Sequence, residues 1–158
     1  MPSGATKGIG RGIALNLACR GCSVLGTYSS EESAHLFDTL DQTVSDLYAK
    51  ASGNIKKPKL VGIVANILDD TCADKIVNAL KDFFESKVHI IVNNAAIPVR
   101  SLLGQLETEA VAKALLGNIQ TPILIMNAVV REKMLQPHSR IVNISSDRAR
   151  DQKCRPGS

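Results

Sequence analysis

The sequence predicts an α/β domain organised on a doubly wound parallel sheet. Three observations carry the prediction. Four short runs, 23–28, 60–65, 88–92 and 140–145, are almost continuously apolar rather than alternating. Strands buried on both faces read that way. Longer stretches with helical spacing of apolar residues lie between those runs, the alternation that builds parallel sheets with helices on both faces. Near the start, Gly4, Gly8 and Gly10 stand at the spacing G-x-x-x-G-x-G immediately before a helical stretch.

Taken in order, a helix is expected from about Gly8 to Arg20, ended by Gly21. Ile9, Ile13, Leu15, Leu17 and Ala18 read as its buried face. Ser23–Tyr28 reads as a strand. Ser29, Ser30, Glu31 and Glu32 look like a capped helix start with acids in the first turn. That helix continues through Lys50 on Leu36, Phe37, Leu40, Val44 and Leu47. A loop at 52–59 carries Gly53 and Pro58. A second strand, 60–65, precedes a helix opened by Asp69-Asp70-Thr71 that uses Ile76, Val77, Leu80, Phe83 and Phe84. The strand 88–92 ends at Asn93-Asn94. A long helix, about Glu107 to Met134, is expected to kink near Pro122, because proline removes a backbone donor. Strand 140–145 ends the ordered pattern, giving a domain over 1–146 and a polar, patternless tail over 147–158.

Composition narrows the function classes. Aromatic residues are 3% of the chain and tryptophan is absent, which disfavours stacking of nucleic-acid bases. The net charge of +4 is dispersed apart from Lys56, Lys57 and Lys59, which read as a solvated loop. No nucleic-acid partner is expected. No apolar run approaches the ~20 residues of a membrane span, and no signal pattern opens the chain, so a cytoplasmic protein without a membrane partner is expected. Cys19 and Cys22 form a C-x-x-C with no second pair, Cys72 and Cys154 are isolated, and His35, His89 and His138 match no ligand spacing. No metal site is expected, and His89, in an apolar run, reads as structural.

A glycine turn that opens a helix suits a phosphate. Glycine allows close approach of the backbone, and the helix N-terminus offers free N–H groups and the positive end of a dipole. The glycine turn from Gly4 to Gly10 therefore reads as a candidate phosphate site. In a doubly wound sheet, ligands bind beyond the carboxyl ends of the strands. Asn93-Asn94 and Ser145-Ser146 fall at such ends and should share that rim with the glycine turn.

These stretches, in this order, resemble the short-chain dehydrogenase/reductase family. The glycine spacing is similar to that family's cofactor loop, and the resemblance implies Gly4, Lys7, Gly8, Ile9 and Gly10 as cofactor-binding residues. Tyr28-Ser29-Ser30 stands where many dinucleotide folds place an acid for the ribose 2′-hydroxyl. Ser29, with Lys7 and Arg11, would instead accept a 2′-phosphate, so the resemblance and the charge together imply NADP(H). Asn66, in Asn66-Ile67-Leu68-Asp69, occupies the family's adenine-contacting segment. Asn93-Asn94-Ala95-Ala96 resembles its N-N-A-G motif, which implies that Asn94 supports the sheet beside the cofactor. Asn118 resembles the catalytic asparagine that holds a water in a proton relay, and Ser146 the catalytic serine that hydrogen-bonds a substrate carbonyl or hydroxyl. The family fold is Rossmann-like. The resemblance implies hydride transfer between a nicotinamide and a small-molecule carbonyl/alcohol pair. Secondary metabolism is a common setting for such reductases. The helix 107–134 resembles the family's dimer helix and implies a homo-oligomer.

The chain also departs from the pattern. The family's first strand should precede Ser3, where only Met1 and Pro2 stand, leaving two neighbouring strands without a partner between them. The part after the fifth family strand is missing as well. The family's Tyr-x-x-x-Lys should follow Ser146, yet no tyrosine occurs after Tyr48, and Lys153 has Ala149 four residues before it. Three readings follow: a truncated or mis-predicted form of a full enzyme, a shortened and inactive paralogue, or a catalytically dead protein that binds NADP(H) or a full-length partner. The first is favoured by losses at both ends.

Overall fold

The computed structural model describes residues 1–51, 55–99, 101–102 and 104–146. The tail 147–158, with Ala149, Lys153 and Cys154, and the loop residues 52–54 lie outside the described residues. The elements follow in the order α1 (Gly8–Cys19), β1 (Val24–Tyr28), a 3-10 turn (Glu31–Ser33), α2 (Ala34–Lys50), β2 (Leu60–Val64), α3 (Cys72–Phe84), β3 (Val88–Asn93), α4 (Thr108–Leu115), a π-helical turn (Leu116–Gln120), α5 (Thr121–Arg131) and β4 (Leu135–Asn143).

The strands pair in parallel, β1 with β2 and β3 with β4. What joins the two pairs is the start of the chain. Pro2 bridges Val92 of β3 and Ser3 bridges Thr27 of β1, both in parallel. The amide of Val92 donates to Met1 O at 2.8 Å, that of Ser3 to Val92 O at 3.0 Å, and that of Thr27 to Pro2 O at 3.3 Å. The order across the sheet is therefore β2, β1, the stub Met1–Ser3, β3, β4. The expectation of two strands with nothing between them is corrected in part: three residues suffice to stitch their carboxyl-terminal halves.

Two apolar clusters cover the two faces. Ala5, Ala14, Ala18, Val24, Phe37, Leu40 and Val44 pack α1 and α2 against one side. Leu25, Ile76, Leu80, Val88, Ile91, Ile125, Val129 and Met134 pack α3 and α5 against the other. Gly26 and Gly62 are register partners, and a Cβ on either would strike the ring of Phe37. The glycine pair thus lets α2 lie close on the sheet.

Several elements differ from the sequence expectation. In α1 the buried face is Gly10, Ala14 and Ala18, whereas Ile9 is 65% exposed. Small residues at i, i+4 and i+8 let the helix approach the sheet closely, so the bulky apolar positions flank the contact instead of making it. The serines before α2 provide no side-chain cap; Ser33 N–H donates to Ser30 O, closing the 3-10 turn. The long helix ends at Arg131, and its irregularity precedes Pro122. Pro122 has no N–H to give the carbonyl four residues back. The helix accommodates this by widening, and Thr121 N–H reaches Leu116 O, five residues back. Strand β4 begins earlier than expected, at Leu135, and ends at Asn143, with a register shift opposite Val88–Ile90. His138, at φ +62°, takes up that irregularity.

The continuous helical stretch Thr108–Arg131 is long and apolar enough to cross a membrane by length and composition, contrary to the sequence reading, and 28% of its apolar window is buried inside the domain. Leu115, Ile119, Ile123 and Val130 along it are exposed.

Candidate nucleotide site

The carboxyl ends of the strands and the first turn of α1 form one rim. The chain leaves the stub at Ser3 and turns at Gly4 (φ +62°) and Gly8 (φ +56°), conformations that cost glycine little. Gly10 then lies against the turn itself. A Cβ there would clash with Gly4 O and come within 2.5 Å of Asn94 Nδ2. Over Gly8 and Gly12 the space is open. Lys7 occupies the N-cap of α1 without a side-chain cap bond, and no acid stands in the first turn. The N-terminal amides of α1 therefore face an open, acid-free cradle, which fits a phosphate group.

Asn94 anchors this turn to β3. Its Nδ2 donates to Ser3 O at 2.9 Å. Ser3 Oγ in turn accepts the amides of Asn94 at 2.8 Å and Ala95 at 2.9 Å. Ser3 is buried, and sequence reasoning did not single it out. A serine before glycine reads as an ordinary turn residue, and no sequence signal shows that its hydroxyl faces a loop ninety-one positions away.

Asn118 lies in the π-helical turn, and both its amide oxygen and its amide nitrogen are engaged. Oδ1 accepts Ile97 N–H at 2.7 Å and Nδ2 donates to Ile97 O at 2.8 Å. It therefore clamps the loop that follows Asn94. Thr121, also not foreseen, is buried and donates to Ile67 O at 2.7 Å, tying α5 to the loop after β2. In that loop Asn66 Oδ1 accepts Leu68 N–H at 3.0 Å, a local turn that holds Asn66 half-buried at the rim. Asn93 Nδ2 donates to Asn143 Oδ1 at 2.8 Å, and Ile144 N–H donates to Asn93 O at 2.9 Å, which fixes the chain as it leaves β4 toward Ser146.

The structure thus brings Gly4, Gly10 and Asn94 into contact and links Asn118 to the same loop. Ser29 stands exposed at the end of β1, and Ser146 stands exposed beyond β4, on the far side of β3 from it. Lys7 and Ile9 are exposed at the helix start. Tyr48 donates to Ala18 O at 2.9 Å, and Tyr28 packs on Phe37, its phenol pKa raised by burial and by Glu31 and Asp38. Cys72 is buried, which pushes its thiol up to about 11 and keeps it protonated. Among the described residues no cluster of His, Cys, Asp and Glu could hold a metal.

Residues 3–155 match the profile of the family described as short chain dehydrogenase. The chain is 33% identical over 144 residues to 3-oxoacyl-(acyl-carrier-protein) reductase FabG of Escherichia coli (strain K12), covering 91% of this chain and 52% of that protein. It is 30% identical over 158 aligned residues to L-xylulose reductase of Aspergillus niger, covering 91% of this chain and 50% of that one. The chain spans about half the length of these relatives. Among solved structures, a short chain dehydrogenase from Burkholderia cenocepacia J2315 in complex with NADP aligns at a TM-score of 0.79 and 25% identity, covering 99% of this chain and 57% of that one. A blue fluorescent protein from a metagenomic library, in complex with NADPH, aligns at 0.81 and 23% identity, over 96% of this chain and 57% of that one.

Proposed function

This chain belongs to the short-chain dehydrogenase family, and we propose that it carries the NADP(H)-binding half of an oxidoreductase acting on a carbonyl/alcohol pair. The observation that carries the reading is the acid-free glycine cradle held by Asn94. The pyrophosphate would rest on the open first turn of α1. Lys7 and Arg11 at the helix start, with Ser29 at the end of β1, would hold a 2′-phosphate by charge-assisted hydrogen bonds. Asn66 would meet the adenine. The Burkholderia relative's complex with NADP supports the choice of cofactor.

The bound nicotinamide supplies a hydride. This chain's residues supply placement. Ser146 would hydrogen-bond the substrate oxygen, and Asn118, through Ile97, fixes the loop beside the cofactor, a positioning role. The names of the relatives, a 3-oxoacyl-(acyl-carrier-protein) reductase and an L-xylulose reductase, support a carbonyl substrate, and neither name supports a setting in secondary metabolism. A cytoplasmic location suits the unpaired Cys19, Cys22 and Cys72. The exposed apolar residues of α4 and α5 would meet a second copy.

The test is a fluorescence titration of the 158-residue polypeptide with NADPH and with NADH. Tighter binding of NADPH by tenfold or more is expected. Equal affinities would refute the 2′-phosphate assignment, and binding of neither would refute the cradle.

A second reading rests on the two tyrosines. Tyr48 donates to the Ala18 carbonyl and Tyr28 packs on Phe37, so on this reading neither tyrosine serves as the proton donor of carbonyl reduction. The polypeptide would then bind NADP(H) without turnover.

A further inference from the structure

The π-helical turn Leu116–Gln120 meets two loops of the rim at once. Gly117 is the point of contact. A Cβ there would stand 2.8 Å from Ile97 Cγ1 and 3.1 Å from Ile67 Cδ1, so both isoleucine side chains rest on the bare backbone of Gly117. Ile97 follows Asn94-Ala95-Ala96 in the loop after β3, and Ile67 follows Asn66 in the loop after β2. Asn118 holds the main chain of Ile97 through its N–H and its carbonyl, and Thr121 holds the main chain of Ile67.

Thr121 makes an unusual choice of partner. Inside a helix a threonine hydroxyl ordinarily returns to the carbonyl of the preceding turn. Here it crosses to Ile67 O at 2.7 Å, fifty-four positions earlier. Both residues are buried. A buried carbonyl deprived of this donor would keep its desolvation cost without a partner. The turn 66–69 leans on the bond. Its other hydrogen bonds are local, from Leu68 N–H to Asn66 Oδ1 at 3.0 Å and from Asp69 N–H to Asn66 O at 3.0 Å. These shape the turn without fixing it to the helix. A cavity of about 140 Å³ lies between Leu68 and Cys72 on one side and Leu116, Gln120 and Leu124 on the other, so packing there is incomplete.

We propose that Thr121 is a positioning residue for the adenine side of the cofactor site: through Ile67 it fixes where Asn66 stands at the rim. The inference rests on the assignment of Asn66 to adenine. The π-helical turn carries the effect further. Ile67 and Ile97 share Gly117, and Asn118 and Thr121 belong to one helical segment, so the two loops are held as a unit. Filling the adenine side therefore steadies Ile97 before any nicotinamide is present.

The experiment uses the full 158-residue polypeptide and adenosine 2′,5′-bisphosphate, which carries the adenine, ribose and 2′-phosphate of NADP(H) and no nicotinamide. Affinity is read by calorimetry and amide exchange by NMR. Thr121→Val keeps the shape of the side chain and loses the hydroxyl, whereas Thr121→Ser keeps the hydroxyl. Thr121→Val should weaken the bisphosphate about tenfold and speed exchange at Leu68, with Val44 unchanged. Thr121→Ser should bind within about threefold of the wild type. In the wild type, saturating bisphosphate should slow exchange at Ile97 fivefold or more, a readout that needs no variant to fold. Unchanged affinity in Thr121→Val would overturn the proposal. So would equal losses in the valine and serine variants, or exchange at Ile97 that bound bisphosphate leaves unmoved. Binding of neither NADPH nor the bisphosphate by the wild type would defeat the NADP(H) reading itself, and the role of Thr121 with it.

Discussion

Asn94 holds Ser3 from two directions. Its side-chain amide donates to the carbonyl of Ser3 at 2.9 Å, and its main-chain amide donates to the hydroxyl of Ser3 at 2.8 Å. The first three residues of the chain thereby fasten β3 to the glycine turn, and Gly10 closes over the join. The cradle is a property of this contact more than of the glycines taken singly.

Two glycines of α1 should consequently respond in opposite ways to the same substitution. Gly10→Ala drives a methyl into Gly4 O and Asn94 Nδ2, and both neighbours are held by backbone. Destabilisation of about 1–3 kcal/mol is expected, with NADPH binding weakened more than tenfold. Gly12→Ala meets nothing within 4 Å in a helix interior. It should stabilise by about 0.5–1 kcal/mol and leave NADPH affinity unchanged. Urea unfolding and cofactor titration of the two variants check both statements. Equal effects would contradict the close contact at Gly10.

The two outcomes mark what the sequence disclosed. The parallel α/β plan, the glycine turn and the rim position of Asn94 were legible, because apolar runs, glycine spacing and strand ends are local signals. The roles of Ser3 and Thr121 were not. Each depends on which distant segment lies opposite, and no local pattern encodes that. Ile9 misled for a related reason: helical spacing gives a face, but the sheet selected the small residues Gly10, Ala14 and Ala18 for contact. The π-helical turn before Pro122 was half legible, since proline announces a disturbed hydrogen bond without saying how the helix absorbs it.

Asn118 makes two hydrogen bonds to a single residue, Ile97. Asn118→Ala should cost about 1–2 kcal/mol, near the net value of two exposed hydrogen bonds. It should speed amide exchange at Ile97 while leaving Ala14 and Val44 unchanged. Asn118→Asp keeps the acceptor and loses the donor, so it should protect Ile97 N–H better than alanine does. If both variants leave exchange at Ile97 unaltered, the clamp is absent in solution.

Charge at the start of α1 should decide between the two nicotinamide cofactors. Lys7→Glu combined with Arg11→Glu is expected to weaken NADPH by tenfold or more and NADH by less than threefold. The wild-type preference should shrink with added salt, as attraction between exposed charges does. A preference untouched by the double substitution would assign the 2′-phosphate to other groups.

Turnover is the next expectation. The 158-residue polypeptide should bind NADPH yet oxidise it no faster than buffer in the presence of a 3-oxoacyl thioester or a ketose. Its two tyrosines are committed to the Ala18 carbonyl and to Phe37. Measurable NADPH oxidation that is lost in Ser146→Ala would show that another group donates the proton.

The pH dependence of stability follows from two buried groups of opposite sign. Burial lowers the Met1 amine from 8.0 to about 5, against an opposing effect of Cys22. Between those values the unfolded chain holds a proton that the folded chain does not, so stability rises as pH increases from about 5 to 8. The full shift corresponds to roughly 4 kcal/mol at about 1.4 kcal/mol for each pKa unit. Burial, helped by Asp69, raises the Cys72 thiol from 9.0 to about 11. There the unfolded chain loses its proton first, so stability falls from about pH 9 to 11. Glu85, Glu109 and Glu132 are lowered from 4.5 by hydrogen bonds to Lys87, Lys113 and Lys81, and their contribution disappears only on the acid side of that window. The three effects together place maximal stability between pH 8 and 9. Urea unfolding at pH 5.5, 8.5 and 10.5 should show it. Acetylation of the Met1 amine should flatten the limb between pH 5 and 8 and leave the alkaline limb intact. An acid limb that survives acetylation would show that the Met1 amine is not the group being titrated.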